Sequence, residues 1–348
     1  RARIGRLGWL QSPLVYTLSI SVYCTSWTFY GAVGSAARNG LEFATIYLGP
    51  TLVFVGWWVF LRKIVRIGHV HGITSIADMI SSRYGKSPGL AALVTLIAVV
   101  GTTPYIALQL RAVTVSFQVI GNAGPDPLSG HPAATPDFRL GFWIAVGMAV
   151  FTILFGTRNI DAKERHHGVV AAIALEAVVK LVALIAVGLM VVYGISEGPA
   201  EIFARASPEI LHSHDVFGPR WVAVTLLSAA AIVCLPREFQ VAVVENTDER
   251  HLRTASWLFP LYLFLISLFV LPIAIAGLNF LPEGSNPDMF VLTLPMWARQ
   301  EEIALLAFLG GFSSATSMVI VACIALSTMV SNHLIMPVAL RFGWVSLN

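Results

Sequence analysis

The chain has 348 residues, 56% of them apolar and only 12% charged, with a formal net charge of +3. Soluble domains carry about 25% charged residues, so this balance, with a mean hydropathy of +0.76, excludes an ordinary soluble domain and points to a membrane protein. The net charge is too small to suggest a nucleic-acid partner, and it says less than the places where the positive charges sit.

A spanning helix needs about 20 mostly apolar residues. In chain order the sequence offers eight such stretches, near 14–37, 44–66, 89–120, 140–156, 168–194, 221–243, 257–280 and 303–330. No signal peptide is expected, because Arg1, Arg3 and Arg6 lead straight into a full-length apolar span. The segments 1–13, 62–88, 157–167 and 244–256 hold most of the Lys and Arg. The segments 38–43, 121–139, 195–220 and 281–302 are rich in Gly, Pro, Asp and Glu instead. By the positive-inside rule the first set is cytoplasmic, which places the first residue of this chain on the cytoplasmic side of a multi-pass protein. The stretch Ile73–Lys86 carries Asp78 and Arg83 and is predicted to lie on the cytoplasmic surface. The 281–302 connection, with Phe290, Leu292, Leu294, Met296 and Trp297, predicts a short external helix, either a structural lid or a gate.

The first span reads SVYCTSWTFYGAVG over 21–34. As a continuous helix it puts Ser21, Cys24, Thr25 and Thr28 on one face. In the last span, Gly310, Ser313, Ser314 and Ser317 repeat that spacing, and Thr316 points elsewhere. Two oxygen-bearing stripes suit a cage for a hard cation. They equally suit close packing of membrane helices, where small and hydroxyl residues are common.

Charged groups within spans cost about 2.5–3.5 kcal/mol each at a helix centre and should face a cavity or a partner. Glu176 and Lys180 are four apart, with Glu first, the favourable order for an ion pair. The pair is either structural or part of an ion route. Arg111 is placed to reach outward toward headgroups. Arg237 and Glu238 follow Pro236 in CLPREFQ. Proline breaks a helix, and a break at membrane depth is tolerated where it is buried in protein or lines a wet cavity. The break is therefore a binding or gating element, or else a kink near the cytoplasmic exit. Cys24, Cys234 and Cys323 lie in separate spans and form no disulfide or metal framework. The loop residues His212-Ser213-His214-Asp215, and the ERHHG run at 164–168, read as solvated loops rather than metal sites.

Several phrases together resemble the sodium:solute symporter family: GITSIADMISSRYG followed by PYIALQL, LPREFQVAVVENTDERHLRTA, and GGFSSATS. YCTSWTFYGAVG, RNIDAKERHHG, EAVVK and VVENTDERHLR more closely resemble the subgroup fused to bacterial sensor histidine kinases, including those linked to histidine and acetate use. The resemblance implies an all-α polytopic membrane protein of the inverted-repeat, leucine-transporter-like fold, with five helices followed by five of opposite topology. The whole of 1–348 would then be one symporter-like transmembrane domain. Its first repeat would run over about 14–194, and an incomplete second repeat over about 221–330. This chain would lie in the bacterial inner membrane and would not itself be an enzyme; the kinase module, with any kinase activity, would lie outside it.

The same resemblance implies Na+ as coupling ion, with no organic cofactor. Its ligands would be the carbonyls of Ser21, Cys24 and Gly310 and the hydroxyls of Ser313 and Ser314. Thr28, Gln109, Arg237 and Glu238 would line the solute cavity or its inner gate. Glu176 falls where many members carry a Thr-Asp pair. Two departures bear on specificity. Tyr23 stands where proline carriers have an aspartate, and Arg237 stands where the family's usual histidine follows the proline. The implied solute is a small carboxylate or amino acid, such as acetate or histidine, carried by alternating access or sensed without transport on behalf of the kinase.

Overall fold

The computed structural model describes residues 12–121, 138–155, 167–211 and 216–342. Among them the secondary structure is helical throughout, with no strand. This is what lipid demands of a single-chain span, since every backbone N–H and C=O must be satisfied within its own segment.

In chain order the helices are α1 (Pro13–Ile20), α2 (Ala32–Asn39), α3 (Thr45–Val55), α4 (Leu61–His71), α5 (Ile76–Arg83), α6 (Pro88–Gly121), α7 (Phe138–Phe155), α8 (His167–Leu189) and α9 (Pro199–Ala204). They continue with α10 (Pro208–Leu211), α11 (Pro219–Cys234), α12 (Pro236–Phe239), α13 (His251–Ser267), α14 (Val270–Phe280), α15 (Phe290–Trp297), α16 (Glu301–Val330) and α17 (Met336–Arg341). Among the described residues four helical stretches are long and apolar enough to cross a membrane: Pro88–Gly121, Gly168–Ile195, His251–Phe280 and Glu301–Arg341. A fifth is the pair Pro219–Cys234 and Pro236–Val244, bent by 52°.

The eight apolar stretches are helical where described, but several are not single helices. The 14–37 stretch is divided between α1 and α2 by an unwound segment. The 44–66 stretch turns at 56–60 and becomes α3 and α4. The second division has a plain cause. α3 is apolar, whereas α4 carries Arg62, Lys63 and Arg66 and buries only Leu61, Val65 and Gly68. A helix so polar on one side belongs at an interface. α5 is eight residues long, too short to span. Ser75 caps it by accepting from the Asp78 amide, 3.1 Å away. A short helix, α15, does form in the 281–302 connection, and it is largely buried through Phe290, Val291, Leu292 and Leu294.

α16 is the organising element. It packs on α8, α6, α7, α15 and α12, and reaches the unwound segment after α1. Its glycines set the approach. A Cβ at Gly311 would collide with the Tyr30 ring and hydroxyl, and one at Gly310 with Ala183 and Phe29. Gly49 does the same for α3 against α11, where a Cβ would meet Ser228 and the backbone of Ala229 and Thr225. Small residues at membrane helix contacts allow this closeness. The outward surface is apolar. Leu93, Leu96, Ile97 and Val100 on α6 and Trp143, Ile153 and Leu154 on α7 are exposed, more apolar surface than water tolerates and what acyl chains require.

The two classes of connection separated by composition also make separate contacts. At one end Arg62 and Arg66 clasp Glu249, His69 meets the Asn246 carbonyl and Ser75 meets His333. At the other, Arg38 pairs with Asp288 and Arg220 with Glu42. Two guanidiniums hold the exposed Glu249 carboxyl down at about 2. His212–Asp215 and the Arg158–His166 part of the basic loop lie outside the described residues.

Candidate functional site: a cavity between two helix breaks

The first break follows α1. A short tight turn, Ser21–Tyr23, ends at Cys24, whose backbone is extended (φ −79°, ψ 90°). The helix resumes as a wide π turn, Trp27–Gly31, before α2. The sequence contains no proline here, and the expected shared face of Ser21, Cys24, Thr25 and Thr28 does not exist, because the helix unwinds between them. The reason lies in the neighbours. Gln109 on α6 accepts from both the Ser26 amide (3.0 Å) and the Ser26 hydroxyl (2.6 Å). Tyr105 shares a hydrogen bond with the Thr25 hydroxyl (3.0 Å). Partners on other helices thus satisfy the backbone that the helix gives up.

The second break follows α11. Leu235 is extended (ψ 130°) and Pro236 starts α12, which passes into a π turn, Gln240–Val244. Here the sequence expectation holds: Pro236 cannot donate and the helix bends at it. Arg237 and Glu238 are both buried and pair with each other, Nε to Oε1 at 2.9 Å. The guanidinium carbon lies 4.8 Å from the centre of the Tyr105 ring, a cation–π contact. The Glu238 Oε2 atom is buried with no hydrogen-bond partner.

A cavity of about 490 Å³ lies between the breaks. Tyr23, Thr25, Trp27 and Thr28 line it from the first break. Gly101, Thr102 and Tyr105 line it from α6, and Ser228, Leu235, Pro236 and Arg237 from the second break. Its size falls within the range of small-molecule sites. Of the expected solute residues, Thr28 and Arg237 line it. Gln109 does not; it is the clamp behind the first break. Glu238 orients Arg237 from behind. Tyr105, which touches both breaks, escaped sequence reasoning. Its one signal was the Pro104 beside it in the middle of a long apolar span.

The five expected sodium ligands do not assemble into an open cage. Lys180 of α8, fully buried, donates to the Ser21 carbonyl at 2.7 Å and the Cys24 carbonyl at 2.9 Å. Ser314 donates back to the Gly310 carbonyl at 2.8 Å, and Ser313 reaches only the Glu176 carbonyl, at 3.5 Å. Thr316 bonds its own helix and the Glu176 carboxylate; Ser317 bonds the Ser313 carbonyl. The expected Glu176–Lys180 ion pair is likewise not formed. The ammonium reaches across to the carbonyls freed by the first break, and Glu176 turns to α16 with its Oε2 unpartnered. Two unit charges about 4 Å apart repel by about 4 kcal/mol at an effective dielectric of 20. A sodium ion at this place would have to share it with a fixed ammonium, so these residues do not fit the ion. Among the described residues no group of three or more His, Cys, Asp or Glu gathers at metal-binding range.

Residues 5–119 match the sodium:solute symporter family. The match takes in Ser21, Cys24, Thr28 and Gln109 and ends before Glu176, Lys180, Arg237 and α16. Two curated relatives, both from Bacillus subtilis (strain 168), are similar. The uncharacterized symporter YodF is 32% identical over 109 residues, 31% of this chain and 22% of that protein. The uncharacterized symporter YhjB is 24% identical over 293 residues, 82% of this chain and 55% of that protein. The matched regions therefore span about half of one relative and about a fifth of the other. Together with the apolar helices, these likenesses point to a multi-pass membrane protein that is similar over part of its length to sodium:solute symporters.

Proposed function

We propose that the chain is a symporter-like transmembrane domain that binds a small carboxylate or amino acid between its two helix breaks and passes it by alternating access. One observation carries this reading: a buried arginine, Arg237, forms part of the wall of the cavity between the breaks. Its Nε is engaged by Glu238, which leaves the outer edge of the guanidinium for a carboxylate, the anion that its planar fork matches. Tyr23, Trp27 and Tyr105 supply apolar walls, and Thr25 and Thr28 supply hydroxyls for a second polar group on the solute. The two breaks, each followed by a π turn, suit the halves of an inverted repeat. On that reading 14–194 is the first repeat and 221–330 a partial second one, in a bacterial inner membrane with the amino terminus of this chain inside.

The test is binding and uptake of labelled acetate and labelled L-histidine by the full chain in lipid nanodiscs and in proteoliposomes. The reading expects one of them to bind and to enter the vesicles, and Arg237→Gln to abolish both. Binding of neither probe, or binding unaffected by Arg237→Gln, would overturn it.

A second reading is a ligand-sensing membrane domain that serves a sensor histidine kinase without net transport. The observation that favours it is Lys180. An ammonium tied to the chain leaves no exchangeable ion at that place to drive accumulation. Solute binding without uptake under any imposed gradient selects this reading.

A further inference from the structure

We propose that Lys180 is a resident cation standing where a sodium-coupled relative would hold its ion, so that closing of the first break does not depend on sodium. The inference takes the name of the place from the symporter-like reading, but nothing in it depends on which solute binds at Arg237.

Three features carry it. First, Lys180 has no exposed surface, and both of its hydrogen bonds go to main-chain oxygens at the unwound segment. Acceptors of this kind favour the charged form of a buried amine, and carbonyls at the end of a helix are the ones that lack intrahelical partners. A bound sodium ion would use the same oxygens for the same reason. Second, α16 is satisfied within itself at this level. Ser314 bonds the Gly310 carbonyl and Ser317 the Ser313 carbonyl, so its hydroxyl hydrogens are committed to the helix. Along α8, Lys180 lies between Glu176, which contacts Ser313 and Thr316, and Ala183, which packs on Gly310. It thus stands at the junction of α8, α16 and the first break that the five expected ligands would surround. Third, the acidic groups near the junction are Glu176 on α8 and Glu238 on α12, each with one buried oxygen that has no partner. One fixed positive charge between them serves the balance that a mobile ion would otherwise supply, and Arg237 is already spent on Glu238.

The consequence is mechanical. A metal ion can leave when the first break moves, and its departure can be coupled to a sodium gradient. Lys180 can withdraw only as far as its own side chain and α8 permit.

The experiment compares thermal unfolding of the full chain in nanodiscs in sodium chloride and in equimolar choline chloride. The wild-type protein is expected to melt at the same temperature in both. Lys180→Ala is expected to melt lower in choline and to recover part of the loss in sodium, because the freed carbonyls then accept the ion. Lys180→Arg, which keeps the charge, is expected to stay indifferent to sodium. Stabilisation of the wild type by sodium overturns the proposal, and so does a folded Lys180→Ala that shows no sodium response. If Lys180→Ala does not fold, equilibrium binding of radioactive sodium to the wild type decides: saturable binding overturns the proposal, and its absence supports it. Failure of acetate and L-histidine to bind would sink the solute reading while leaving this comparison intact.

Discussion

The two helix breaks solve the same problem in opposite ways. Each interrupts an apolar helix, leaves backbone groups without their usual partners and resumes through a π turn. The first break is closed from outside: Lys180 takes its carbonyls, Gln109 takes Ser26 and Tyr105 takes Thr25. The second is closed mainly by its own residues, Pro236 through its missing N–H and Arg237 through the adjacent Glu238, with the Tyr105 ring of α6 against the guanidinium. A break held by two other helices is a joint, since any movement of α6 or α8 is felt there. A break that satisfies itself keeps its charged edge available and can face a ligand. The difference assigns mechanical coupling to the first break and solute contact to the second.

The contrast can be broken most forcefully at Lys180. Lys180→Ala leaves the buried Cys24 carbonyl without its donor, weakens the satisfaction of the Ser21 carbonyl, which keeps the Cys24 amide, and an unsatisfied buried group costs about 1–3 kcal/mol. A loss of about 3 kcal/mol, read by denaturant or thermal unfolding in choline chloride, is expected. A loss under about 1 kcal/mol would mean that the first break does not need its external cation.

Arg237→Ala should be nearly as damaging, because it strands Glu238 in a buried site, at about 3 kcal/mol. Adding Glu238→Gln should restore most of that stability without restoring solute binding. Recovery of binding in the double variant would show that Arg237 orients the break and does not touch the solute.

Gly49→Ala tests the packing beneath both breaks. Its Cβ meets backbone atoms of α11, which cannot rotate away, so an overpacking loss of about 2 kcal/mol is expected in the same unfolding assay. Gln109→Leu removes the clamp on Ser26 and should cost about 1–2 kcal/mol. If it also weakens binding of acetate or L-histidine several-fold, the first break shapes the cavity as well as the joint.

The smallest effect is expected far from both breaks, at Glu249. Its carboxyl is held at about 2 against an ordinary 4.5 by Arg66 and Arg62. The stabilisation from this clasp is therefore present above pH 4.5 and is lost as the pH falls from there toward about 2. Glu249→Gln should remove that part of the acid dependence while leaving melting at neutral pH almost unchanged, since the pair is exposed and screened by salt.

How much of this was legible in the sequence follows from the same contrast. The second break was readable because proline announces itself and two adjacent charges in an apolar run demand a cavity or a partner. The first break was not. Cys24 and Thr25 are compatible with a helix, and what unwinds it is supplied by Gln109, Tyr105 and Lys180, which lie 80 or more residues away in the chain. Helical spacing thus put Ser21, Cys24, Thr25 and Thr28 on a face that tertiary contacts dissolve. Lys180 was recognised as costly to bury, but the local i, i+4 rule gave it Glu176 as partner. That rule describes surface helices, where no loose carbonyls compete for the ammonium. The hydroxyls of α16 were conspicuous for composition alone, and most of them bond their own helix. The all-helical membrane class, by contrast, was written in the apolar runs themselves, because lipid leaves the backbone few other choices.

The most direct test of the division between the two breaks is equilibrium binding of labelled acetate and labelled L-histidine to the full chain in nanodiscs, with sodium exchanged for choline at constant ionic strength. The account predicts that one probe binds with the same affinity in both salts and that Arg237→Gln abolishes the binding. An affinity that rises several-fold with sodium, or binding that survives Arg237→Gln, would contradict it.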